Sequence, residues 1–139
     1  MEFTSHKQIL QGIEQRQFFP VYILHGEESY FVDVLTTAIE QNVLSDGEKA
    51  FNQMVFYGVD AHPEQIVDFA RQFPMMSERK VVILKEAKGM NDCRLNQLSD
   101  YISNPAPHTI LVLSHPDKAI NGNLTLLKSA KISKHVATF

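Results

Sequence analysis

Apolar residues follow two rhythms along this chain. Residues 21–25, 81–84 and 109–113 are apolar at nearly every position. Continuous apolar runs of that length predict strands covered on both faces. Two weaker segments, 52–57 and 134–139, fit as further strands. Between them the apolar positions recur at three and four residues, which predicts helices. Residues 28–44 place Phe31, Val34, Leu35, Ala38, Ile39 and Val43 on one stripe. Pro63 suits a first helical turn, with Ile66, Phe69, Ala70 and Phe73 behind it. Leu95, Leu98 and Ile102 follow a cap at Asn91 or Asp92. Leu124 and Leu127 mark a shorter helix, and Ile9, Leu10 and Ile13 an N-terminal one. Strand and helix in alternation predict an α/β fold: a three-layer open parallel sheet of about five strands with helices on both faces.

The 139 residues suit one domain able to bury roughly two-thirds of its unfolded surface without a staple. Cys93 is the only cysteine, so an internal disulfide and a cysteine-rich zinc site are excluded. No apolar run exceeds five residues, far short of a bilayer span, and the start of the chain has no signal-peptide core. A cytoplasmic protein without membrane association is expected. Thirteen Lys and Arg against sixteen Asp and Glu give a net charge of −3. With no basic stripe, only weak DNA binding is expected of the isolated chain.

Ligands of such sheets bind beyond the carboxyl ends of the strands. The first strand runs into Gly26, where a phosphate-binding loop would need G-x-x-x-x-G-K-[ST]. Phe31 stands at the second glycine and Val32 at the lysine. Glu27 and Glu28 put negative charge where phosphate would sit, and suit a helix that caps itself. At the end of the third predicted strand, Lys85 takes the place of a magnesium-holding aspartate, and Glu86 follows it with no metal to serve. The loop and the magnesium position are both degenerate, so no nucleotide, metal or other cofactor is expected. His25 and His115 fall at strand ends without a metal-binding motif. Ser114 lacks a nucleophile elbow, and Cys93 lacks a base partner. No catalytic residue is assigned.

The segments Phe19-Pro-Val-Tyr-Ile-Leu-His-Gly-Glu-Glu-Ser-Tyr-Phe31, Phe51-Asn52, Phe73-Pro-Met-Met-Ser-Glu-Arg-Lys-Val-Val-Ile-Leu84, Asn104-Pro105 and the strand 109–113 together carry a resemblance. The chain resembles the N-terminal domain of the delta subunits of the bacterial DNA polymerase III clamp loader. The resemblance implies an AAA+-like fold that has lost its ATPase residues. It implies a non-enzymatic role: gripping the sliding clamp, the beta subunit, and helping to open it for loading onto primed DNA. Other loader subunits would bind ATP and join through lid and collar domains, making residues 1–139 one domain excised from a longer chain. The family grips the clamp with two adjacent apolar residues, usually leucine then phenylalanine, before a Ser-x-Arg segment. The matching positions are Met75 and Met76, flanked by Pro74, Ser77 and Arg79. Methionine fills an apolar pocket adaptably but lacks the aromatic ring. Two alternatives compete: a regulatory or scaffold domain on a degenerate P-loop fold, and a nucleotide-dependent enzyme. Buried methionines would favour the first, and saturable ATP binding the second.

Overall fold

A computed structural model describes residues 6–132 and 136–139. Five parallel strands form one sheet: β1 (Val21–His25), β2 (Gln53–Tyr57), β3 (Lys80–Lys85), β4 (Thr109–His115) and β5 (Val136–Thr138). Their order is β2-β3-β4-β1-β5. The register pairs Val21 with Leu111 and Val136, Val81 with Gln53 and Ile110, and His25 with His115. The expected last strand is three residues long, and Lys134 and His135 lie outside the described residues.

The continuous apolar runs follow from a sheet buried on both sides. Tyr22, Leu24, Val81, Ile83, Ile110 and Val112 face a core closed by α1 (His6–Glu14) and α2 (Ser29–Asn42). Val21, Ile23, Val82, Leu84, Leu111 and Leu113 face the opposite core. That core is closed by α4 (Pro63–Arg71), α5 (Asp92–Asn96), α6 (Ser99–Ser103) and α7 (Thr125–Ile132). Successive strand side chains point to opposite faces, so each strand supplies both cores. The three-layer α/β expectation is met.

Details of the helices depart from the pattern. In α2 the buried residues are Val32, Leu35, Thr36 and Ile39, whereas Phe31, Val34 and Ala38 are half-buried. Thr36 enters the core because its hydroxyl donates to the Val32 carbonyl at 2.8 Å. The 95–102 stripe is two short helices, with Asn91 as the N-cap accepting from the Arg94 N–H. Phe73 leaves the α4 stripe and is 82% exposed. Pro74 holds its predecessor out of helical geometry, and α4 has ended at Arg71. An unforeseen helix, α3 (Asp46–Asn52), precedes β2, so Asn52 is helical rather than the first residue of a strand. Among the described residues no helix is long and apolar enough to cross a membrane.

Candidate functional site

The loop between α4 and β3 lies at the amino end of β3, opposite the crevice where nucleotides bind in such sheets. Both of its ends are tied. The Lys80 ammonium donates to the Phe69 carbonyl at 2.6 Å and lies 3.5 Å from the centre of the Phe69 ring. Burial pushes the pKa of Lys80 below its ordinary value. His108 Nε2 is 2.9 Å from the Gln72 carbonyl, and its ring lies 5.1 Å from that of Phe73.

The loop centre is held by α3. Asn52 Nδ2 donates to the Met75 carbonyl at 2.7 Å, and Asn52 Oδ1 accepts the Met75 N–H at 2.6 Å. Ser77 Oγ donates to Glu48 Oε2 at 2.6 Å, and the Arg79 N–H donates to Ser77 Oγ at 3.3 Å. The Ser77 bond leads the interactions that lower the Glu48 pKa. The Arg79 guanidinium lies 5.0 Å from the Phe18 ring centre. Pro74, Ser77 and Arg79 are half-buried, whereas Met75 is 60% and Met76 99% exposed. Met76 also has φ +55°, in the left-handed region that non-glycine residues seldom occupy. A fixed loop thus presents two long apolar side chains to solvent, one of them from a costly backbone conformation.

The crevice at the carboxyl ends is arranged differently. Gly26 has φ +127°, and its N–H donates to the His115 carbonyl at 3.3 Å. Val32 is fully buried in the α2 core, and Phe31 stacks on His6 at 4.2 Å. These two side chains pack into the protein at the positions where a phosphate loop has glycine and lysine. Glu27 and Glu28 are exposed. The expected self-cap is corrected: Glu28 occupies the N-cap position but its side chain makes no capping bond. The segment 116–120 crosses the mouth instead. There Asp117 accepts from Ser29 Oγ and pairs with Lys88. Lys85 is paired with Glu40 at 2.9 Å, and Glu86 is left-handed with φ +51°. Cys93 is exposed on α5, and Ser114 is buried in β4.

His25 and His115 lie side by side across β1 and β4. His25 Nδ1 accepts the Ile120 N–H at 2.9 Å, so that nitrogen is unprotonated, and His115 Nδ1 is 2.8 Å from the Lys118 carbonyl. Burial, with His115 adding repulsion, lowers the His25 pKa to about 4. The unfolded value is near 6.5. Between these values the unfolded chain binds more protons, so stability falls as pH drops from about 6.5 towards 4. After discounting for solvent, the loss expected from His25 is about 1–2 kcal/mol. Urea unfolding from pH 8 to pH 4.5 checks this: the slope should be shallower in His25→Asn than in the native chain.

Residues 22–139 match the family described as DNA polymerase III, delta subunit. The chain belongs to that family. The delta subunit of DNA polymerase III from Bacillus subtilis (strain 168) is 30% identical over 131 residues, covering 88% of this chain and 38% of that protein. The solved B. subtilis DNA clamp loader delta protein superposes with a TM-score of 0.82 at 27% identity, covering 97% of this chain and 42% of that one. A DNA polymerase III gamma-subunit-related protein of Thermotoga maritima shares the fold alone, with a TM-score of 0.65 at 17% identity, covering 98% of this chain and 45% of that one. The fold is AAA+-like. This delta-family chain spans about two-fifths of the length of the delta relatives it matches.

In this delta-family chain the pattern of apolar positions missed two residues that build the loop, Asn52 and Glu48. A signal for them was present. Ser45-Asp-Gly-Glu48 has capping-box spacing, and both reciprocal bonds form. That box starts α3, and α3 carries Glu48 and Asn52 to the loop.

Proposed function

We propose that this delta-family chain grips the sliding clamp through Met75 and Met76 and helps to hold the ring open for loading onto primed DNA. In this reading residues 1–139 act as one AAA+-like domain in the cytoplasm. Pro74, Ser77 and Arg79 shape the loop, and ATP is handled by other loader subunits. The observation that carries the reading is the near-complete exposure of Met76, beside a Met75 whose backbone is fixed from both sides. A well-ordered apolar pair needs no rearrangement before entering a pocket, so less is lost on association. Buried methionines would have favoured the scaffold alternative, and Met75 and Met76 are exposed.

Titration of the chain with the sliding clamp of the same cell tests the reading directly. Saturable binding is expected, and none at all would reject it. Calorimetry with Mg-ATP tests the degenerate crevice. With Val32 in the core and Lys85 paired to Glu40, no saturable heat is expected at millimolar nucleotide. A micromolar dissociation constant would restore the nucleotide-enzyme reading.

A further inference from the structure

Asn52 is 1% exposed, and both its amide N–H groups and its carbonyl oxygen are engaged. Nδ2 donates to the Glu48 carbonyl at 3.1 Å within α3 and to the Met75 carbonyl at 2.7 Å. Oδ1 accepts the Met75 N–H at 2.6 Å. The side chain therefore pairs with both backbone groups of one residue, as a neighbouring strand would. Only a carboxamide offers a donor and an acceptor in that fork. Beside it, Glu48 divides its carboxylate between the Ser45 N–H, at 3.0 Å, and the Ser77 hydroxyl. The Met75–Met76 turn belongs to no helix or strand and includes a left-handed residue. Backbone of that kind samples many conformations unless its neighbours fix it.

We infer that Asn52 is the positioning residue of the clamp contact, acting through the Met75 backbone to hold the Met75–Met76 pair in its binding conformation. The inference rests on the proposed clamp reading and adds to it a residue with no expected contact to the clamp. Without the amide fork, the loop must order itself on each encounter, and affinity falls by the fraction of time it spends outside the bound conformation.

The test uses the full chain with Asn52→Ala and with Asn52→Asp. The second keeps the size and the acceptor and, at a pH high enough to keep its carboxyl ionised, cannot donate to Met75. Clamp affinity, thermal melting and amide exchange are measured on each. Exchange at the Met75 amide should rise at least about tenfold in N52A, with the β3 amides unchanged, because the loop opens locally. Clamp affinity should fall about tenfold in both variants, on the scale of a lost buried hydrogen-bond pair. In a Met75→Ala/Met76→Ala background, N52A should cost less than about twofold more, because residues acting as one unit are not additive. Native affinity in both variants, or faster exchange without lost affinity, would overturn the inference. So would an equal loss in both backgrounds. If N52A melts below the assay temperature, N52D carries the comparison. If the double methionine variant binds the clamp like the native chain, the clamp reading itself fails. If that variant loses binding while N52D does not, only the role of Asn52 fails.

Discussion

Met75→Ala/Met76→Ala is expected to weaken sliding-clamp binding about 100-fold while shifting the melting temperature by no more than about 2 °C. A 100-fold loss is about 2.7 kcal/mol. Full burial of a methionine is worth roughly 1.5–3 kcal/mol, and association costs reduce the sum for two. The two residues should contribute unequally. Met76 is 99% exposed and has its whole side chain to bury, whereas Met75 is already partly covered at 60%. Met76→Ala alone should therefore carry the larger share. Glu78 is exposed beside the pair, and Glu78→Ala should change affinity less than about threefold, as screened rim charges do. The fold should survive because neither methionine joins a core cluster and exposed residues contribute little to stability. Clamp affinity and melting are measured on the same preparations. Unchanged affinity rejects the anchor, and a collapsed melting transition would show that the methionines support the fold.

The layers of the fold were legible because they depend on burial, and burial leaves a period in the sequence. β1, β3 and β4 are apolar on both faces because helices cover both faces. β2 was fainter for the opposite reason: it is an edge strand, with Met54 and Tyr57 exposed. The departure from the phosphate-loop pattern was also legible, since Phe31 and Val32 stand where that pattern has glycine and lysine. How the crevice is closed was not. Asp117 reaches Ser29 across 88 positions, and no local pattern encodes so distant a contact. The methionine pair stood out only through resemblance. Periodicity carried the α4 stripe to Phe73 and had no means of choosing between exposed and buried methionines beyond Pro74. The support of the loop escaped because α3 has only seven residues and an exposed Phe51, leaving no apolar stripe to read. Its signature was polar, in the cap at Ser45 and Glu48, and a polar cap is invisible to a search for apolar period.

Gly58→Ala is expected to lower stability by about 3 kcal/mol and the melting temperature by roughly 10 °C, with clamp affinity below the transition unchanged within about twofold. Gly58 follows β2 and donates its N–H to the Lys85 carbonyl at 2.9 Å. A Cβ there would lie 2.2 Å from the Glu86 carbonyl oxygen and 3.1 Å from the Ala87 Cα. Both obstacles are backbone, and neither can swing aside as a side chain would. Glu86 is itself left-handed, at φ +51° and ψ +47°, so the opposing chain is already in a constrained turn. Either β2 must separate from β3, or the Glu86 corner must unwind. The clash lies at the carboxyl end of β3, whereas Met75 and Met76 precede its amino end. Six residues of strand separate the two ends, about 17 Å at the usual rise. Asn52, Glu48 and Lys80, which hold the loop, touch neither Gly58 nor Glu86 in any hydrogen bond described above. G58A and the double methionine variant should therefore fail in opposite ways, one in melting and the other in binding. Thermal melts and clamp titrations on the two variants together check this. Lost clamp affinity in folded G58A would mean that the two ends of β3 are coupled, and that the degenerate crevice takes part in the grip.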